Sequence, residues 1–424
     1  MSKEKKAFIK LAADYFAENI YSLGCYIKFR DLFPVLYDFH SLEELRSFLN
    51  YAIEYALDKD VAAANQVNLE FVERGFYFLG RKPALNLLCV MLSEHIMNDQ
   101  DDSLEIYSSF SLMDPTFSAL FQKIRIANPE KCKQITLNHF FDGTLQEAKG
   151  GGKGITLSLI GQLQNKFELN LWTSGSDLGQ PFLFIKGALL LMFNPQIDGT
   201  PLLIPISHKS YLSYFYESLM MKDIRKISYN RNEAAALLEA NPQFVPELLT
   251  RGIDSVYNFV SIGYLLDKEE ISSISDHEQI AEWVWQVFDS ILSGKTIFHV
   301  SIAAMERFST FGKAIVPLIG AFPLPREQRV SYLQRFNAYL KNEQSYNKVK
   351  ILDSQLSNIA ALCSGDLCLV YSIDDGFERD RIHVFDAKTV LPVLERMTLS
   401  GPTLPLDFSL DLWSAYQGDL LSNS

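Results

Sequence analysis

Apolar residues in the first 140 positions recur at helical spacing. Ala7, Phe8, Leu11, Ala12, Tyr15, Phe16, Ile20 and Leu23 form one stripe, and Gly24 follows as a natural stop. Ser41-Leu42-Glu43-Glu44 reads as a capping box. The serine hydroxyl can accept from a first-turn amide while Glu44 reaches back, and Leu45, Phe48, Leu49, Ile53 and Leu57 then supply an apolar face. Asp114-Pro115 and Asn128-Pro129 repeat a cap followed by proline, which loses an amide that would be unpaired anyway. The pattern predicts a helical domain over 1–140, its antiparallel hairpins packed in a bundle or short solenoid, with no fixed-period repeat of the tetratricopeptide or ankyrin kind.

The pattern breaks at 141–154, where Gly150 to Gly154 contains four glycines and reads as a linker. Beyond it the period shortens towards that of strands, at 155–160, 167–172, 182–185, 188–193 and 202–206. Ser207 is placed to cap a helix carrying Tyr211, Leu212, Phe215, Tyr216 and Leu219. From about Asn232 to Tyr346 helical spacing returns. Asp276-His277-Glu278-Gln279 opens one helix, which runs through Ile280, Trp283, Val284 and Phe288 to a stop at Gly294, and Pro325 to Leu340 forms another.

The stretch around Leu189 to Phe215 is echoed near the other end. LLLMF, a turn through Asp198-Gly199 and LLIPI match LCLVY, a turn through Asp375-Gly376 and IHVF. The helices that follow align without a gap, Ser207 against Asp386, Lys209 against Lys388 and Leu212 against Leu391. Asp-Gly between apolar runs is a hairpin cue, because the turn needs positive φ and glycine supplies it. The expected fold is therefore α+β: an N-terminal helical bundle, then two small strand-turn-strand-helix units, 155–252 and 346–424, separated by a helical segment over 253–345.

Ala188 to Phe193, Asp198-Gly199, Leu203-Ile204-Pro205-Ile206 and Ser207 to Leu219 together resemble the N-terminal domain of the SseB family, bacterial proteins named for enhanced serine sensitivity. The likeness covers about 182–252. Ile206-Ser207-His208 stands where that family carries an aromatic-Thr-Ser step. The resemblance implies a small α/β domain of regulatory or binding character and carries over no catalytic residue.

Composition narrows the function. With 39 Lys and Arg against 51 Asp and Glu, the net charge is −12, and no basic cluster exists beyond Lys3 to Lys6, itself interrupted by Glu4. Nucleic-acid binding, which needs clustered cations to displace counterions, is not expected. Five scattered cysteines cannot frame a chain of 424 residues with disulfides, so a reducing, cytoplasmic compartment is expected. Lys10, Asp14 and Glu18 interrupt any signal-peptide core, although secretion without a cleavable signal stays open. No apolar run reaches the ~18 residues of a membrane span.

Candidate chemistry is sparse. Gly150 to Gly154 with Lys149 and Lys153 lacks the first glycine and the hydroxyl of a phosphate loop. Ser174 to Gly179 does not meet the Gly-x-Ser-x-Gly frame of a nucleophile elbow. The seven histidines never pair at helical ligand spacing, and Asp374, Asp375, Glu378 and Asp380 do not follow a calcium-loop order, so no metal or cofactor is expected and that acidic run reads as a solvated turn. Cys25, after Gly24, could open a helix whose dipole favours the thiolate, with His383 as base and Asp386 to orient it.

The leading expectation is a non-enzymatic, regulatory or accessory protein of bacterial type that binds another protein, with a homo-oligomer as a further option. The alternative is an effector-like, cysteine-dependent hydrolase or transferase using Cys25, His383 and Asp386.

Overall fold

The computed structural model describes residues 3–22, 25, 26, 29, 39, 41–64, 78–79, 86, 104–110, 135–141, 160, 167–175, 177–195, 201–342, 348–352, 358–374 and 379–400. The chain divides into two compact units. The first comprises Met1–Asp142, Lys166–Leu169 and Ser174–Ile224; the second comprises Gly143–Asn165, Asn170–Thr173 and Arg225–Ser424. The expected linker over 141–154 lies outside the described residues, apart from Phe141.

The first unit opens with α1 (Lys3–Ser22) and α2 (Leu42–Ala64). Ile9, Ala13 and Ala17 repeat every four residues and form the buried side of α1. Arg46 of α2 reaches Asp14 of α1 at 2.7 Å, fixing the pair polar side to polar side. The capping box holds in its first half, since Ser41 Oγ accepts from Glu44 N at 3.1 Å. Short strands follow: β1 (Phe78–Leu79), β2 (Leu104–Ser108), β3 (Ile135–Phe141), β5 (Phe182–Ile185), β6 (Leu189–Pro195) and β7 (Pro201–Ile206), then α3 (Lys209–Met220); β4 (Glu168–Ser174) and β8 (Ile224–Lys226) straddle the division between the units. Within this unit β1, β7, β6, β5, β2 and β3 are neighbours in that order in one mixed sheet.

The expectation of an all-helical bundle over 1–140 is corrected here. Among the described residues, α1 and α2 are joined by strands β1, β2 and β3. LEIYS and ITLNHFF are short apolar runs whose periodicity cannot separate strand from buried helix. Parallel pairing of Leu104 with Ile135 through Ser108 with His139 decides them as strands. β5 is buried along its whole length, which explains why FLFI shows no polar alternation.

The second unit contains β9 (Ser228–Asn230), α4 (Arg231–Ala240), α5 (Phe244–Arg251), β10 (Ser255–Asn258), α6 (Lys268–Ile274), α7 (Glu278–Ser293), β11 (Ile297–Ser301) and α8 (Ile302–Phe311). The hairpin β12 (Lys313–Val316) and β13 (Gly320–Pro323), α9 (Arg326–Lys341), β14 (Val349–Leu352), β15 (Ile359–Ser364), β16 (Leu367–Ile373), β17 (Asp380–Asp386) and α10 (Ala387–Ser400) complete it. Its seven-stranded sheet runs β14-β11-β10-β15-β16-β17-β9, with β10, β11 and β14 parallel and the rest antiparallel. The segment expected to be helical over 253–345 thus also supplies β10 and β11, whose SVYN and IFHVS are β-branched and aromatic, and almost wholly buried.

In both places strand, strand and helix succeed one another. β6 pairs antiparallel with β7 and leads into α3; β16 pairs antiparallel with β17 and leads into α10. The turns through Asp198-Gly199 and Asp375-Gly376 lie outside the described residues. Asp386 acts as expected at the helix start, its Oδ1 accepting from Lys388 N at 2.9 Å. Ser207 does not cap α3: His208 holds the N-cap position, with no side-chain hydrogen bond.

Candidate functional site

In the second unit, α4, α5 and α7 stand over one face of the sheet and enclose a cavity of about 700 Å³. Strand register builds its floor. Ala360, Tyr371, Ile382 and Tyr229 lie opposite one another across β15, β16, β17 and β9. A second row comprises Leu362, Leu369 and Val384, and side chains of one parity share one face, so both rows point into the cavity. Leu237 and Leu238 of α4, Phe244 of α5 and Val287 of α7 line its walls. Leu237 is 43% exposed, which marks the mouth. A predominantly apolar lining of this size falls within the range of ~300–1,000 Å³ that ligand pockets occupy.

Two polar devices hold the α4 wall. Asn230 and Glu233 form a reciprocal capping box, the Asn230 side chain accepting from Glu233 N and the Glu233 carboxylate accepting from Asn230 N. Arg231 then reaches Asp380 of β17 at 3.4 Å. Asp380 is buried and also accepts from Tyr371 Oη at 3.1 Å, while burial beside that carboxylate raises the tyrosine pKa. The reading of Asp374 to Asp380 as a solvated acidic turn is therefore corrected at its last residue. Asp374 closes the turn by accepting from Arg379 N at 2.8 Å, and Asp375 and Glu378 lie outside the described residues.

The turn between β12 and β13, which also lines the cavity, carries backbone strain. Val316-Pro317-Leu318-Ile319 turns back on itself, Ile319 N donating to Val316 O at 3.0 Å, and Leu318 adopts φ 70°. Proline followed by positive φ is the type II turn, whose third position ordinarily takes glycine. A leucine there is strained by about 1–2 kcal/mol, and it lines the cavity.

The sequence-derived candidates fall in both units. Cys25 belongs to the first unit, is exposed and accepts from Phe29 N at 2.9 Å through its carbonyl. His383 and Asp386 belong to the second unit but not to one site. His383 is fully buried in β17, where Nε2 meets Ser372 Oγ at 2.8 Å and burial lowers its pKa to about 3. Asp386, three residues on, faces solvent and is engaged at the α10 start. Among the described residues no group of three His, Cys, Asp or Glu side chains is placed to hold a metal ion.

No protein-family model and no curated protein matches the sequence. Solved structures with partial likeness include a polyphosphate kinase from Porphyromonas gingivalis, at 10% identity and TM-score 0.27 over 90% of this chain. This chain spans 63% of that kinase's length. The archaeal chromatin protein TrmBL2, described with a novel mode of DNA binding, is 15% identical over 43% of this chain and 69% of its own, with TM-score 0.23. A yeast tyrosyl-DNA phosphodiesterase variant is 10% identical over 75% of this chain and 92% of its own, with TM-score 0.23. At these scores the likenesses carry no argument about fold or activity.

The cavity is not legible in the sequence, because its lining comes from segments spread between Arg225 and Val384. Two signals were nonetheless present. Pro317 presets the first corner of a turn, and the alternation in RIHVF names Ile382 and Val384, two of the residues that form the floor.

Proposed function

We propose that this chain is a non-enzymatic binding protein of regulatory character, in which the cavity of the second unit receives apolar side chains of another protein. The observation that carries the reading is Leu318. A positive-φ leucine keeps its side chain in the cavity wall at a conformational cost that glycine would remove. The polar anchors support the same reading, since Arg231, Asp380 and the Asn230 cap stiffen the wall without filling the cavity. The resemblance of 182–252 to the SseB N-terminal domain, with its regulatory character and bacterial type, belongs to the same proposal, as does a cytoplasmic location. Among the described residues no helix is long and apolar enough to cross a membrane.

The apolar dye anilinonaphthalene sulfonate tests whether the cavity admits a ligand. Leu369 sits on the floor, so Leu369→Trp fills the space from below. Dye fluorescence with the full wild-type chain should saturate at one site and weaken at least about tenfold in the variant, a difference of about 1.4 kcal/mol. Near-ultraviolet circular dichroism must show the variant folded. Equal dye binding by the two folded proteins would remove the cavity from the reading.

A further inference from the structure

β15 and β16 are joined by a two-residue turn, Gly365-Asp366, with Gly365 at φ 57°. Ser364 pairs with Leu367 next to the turn, and Cys363 pairs with Cys368 one step further in. Antiparallel partners share a face, and in a two-residue hairpin the second pair out from the turn is the one without mutual backbone hydrogen bonds. There the Cα atoms stand ~4.5 Å apart, within the span that a disulfide bridges. The two sulfur atoms are 3.2 Å apart and both thiols are free. Both are buried, at 2% and 0% exposure, yet they lie one residue pair inside a turn whose Asp366 side chain is 81% exposed. Reaching them requires the hairpin tip to open, and that tip is held by Gly365 N donating to Asp254 Oδ2 and Ser364 Oγ donating to Gly252 O.

We infer that Cys363 and Cys368 form a reversible dithiol-disulfide site that a small peroxide oxidises. The Cys363 sulfur attacks one oxygen of hydrogen peroxide, and the O–O bond breaks. The leaving hydroxide takes the proton lost from Cys363, giving water and a sulfenic acid. The Cys368 sulfur then attacks the Cys363 sulfur, the S–O bond breaks, and the departing hydroxide leaves as a second water with the Cys368 proton. Two thiols and one peroxide thus become one disulfide and two waters. The order of attack follows the surroundings. The paired thiol and Ser255 favour the thiolate at Cys363, whereas the same pairing and burial push the Cys368 thiol up. The disulfide would brace the hairpin beneath α10, whose Val390, Val393 and Leu394 are buried.

Differential alkylation of the full chain, before and after hydrogen peroxide and followed by peptide mass mapping, tests the site. The expected result is joint loss of Cys363 and Cys368 from the alkylated pool, a linked peptide lighter by two hydrogens, and recovery with dithiothreitol. Two thiols that remain fully alkylatable after denaturation would overturn the inference. So would a sulfenic or over-oxidised Cys363 beside an intact Cys368. In Cys368→Ser the linked peptide should vanish while Cys363 accumulates as sulfenic acid. A linked peptide pairing Cys363 with any other cysteine in the wild-type chain would also overturn it.

Discussion

Acid should unfold the second unit through two buried histidines. His299 of β11 is stacked on Tyr257 with ring centroids 4.4 Å apart, and its Nδ1 lies 3.2 Å from Val256 O. Burial lowers its pKa to about 4, opposed in part by that backbone contact, with Lys350 adding in the same direction as burial. His383 lies against Ser372, and burial beside Arg381 lowers it to about 3. Both folded values lie below the unfolded value near 6.5, so their contribution is complete above that pH and is lost as pH falls towards the folded values. By about pH 5 each unfolded histidine has taken up a proton that its folded counterpart refuses. The loss is about 2 kcal/mol per residue, or about 4 kcal/mol for the two, with a limiting slope of about 2.7 kcal/mol per pH unit. Urea unfolding, read by the fluorescence of Trp283 and Trp285 on α7, should give this dependence between about pH 7.5 and 5, a window above the ordinary carboxylate range. His299→Phe, which keeps the stacked ring, should halve the slope, and His383→Asn should do the same. Because the slope is read and not the intercept, a destabilised variant still answers. A stability that stays flat across the window would refute the reasoning.

Three further outcomes follow from the second unit. Arg231→Ala leaves the buried Asp380 with Tyr371 alone and, because Arg231 is itself 37% exposed, should cost about 1–3 kcal/mol in urea unfolding, less than the full loss of an enclosed pair. Asp267→Ala removes the α6 cap, which accepts from Glu270 N at 2.8 Å, together with the Arg335 contact at 3.1 Å, and should lower stability by about 1–2 kcal/mol. Leu318→Gly should cost less than about 1 kcal/mol in the same assay, below the cost of truncating an equally half-buried leucine of ordinary φ, because relief of positive φ offsets lost packing. The same variant should weaken dye binding, and a normal truncation cost would contradict the strain.

Much of this molecule was legible locally. Ser41 and Glu44 announced α2, Asp386 announced α10, and Gly294 marked the end of α7, because caps and stops depend on neighbours within one turn. β2, β3, β10 and β11 were not legible, since four to seven apolar residues become a strand only when a distant strand pairs with them. The same limit hid the sites. Asp380 read as one acid of a solvated run until Arg231, 149 positions away, enclosed it. Cys363 and Cys368 looked scattered in composition, although the Gly-Asp turn between them fixed their register.

Site-specific photocrosslinking tests the central claim most directly. A benzophenone amino acid in place of Leu237, at the cavity mouth on α4, should attach to one protein partner in cells. The same group in place of Glu239, exposed on α4 but outside the cavity lining, should not. Leu369→Trp should abolish the Leu237 adduct. Adducts that form equally from both positions, survive the filled cavity, or contain only a small molecule would contradict a cavity that receives another protein.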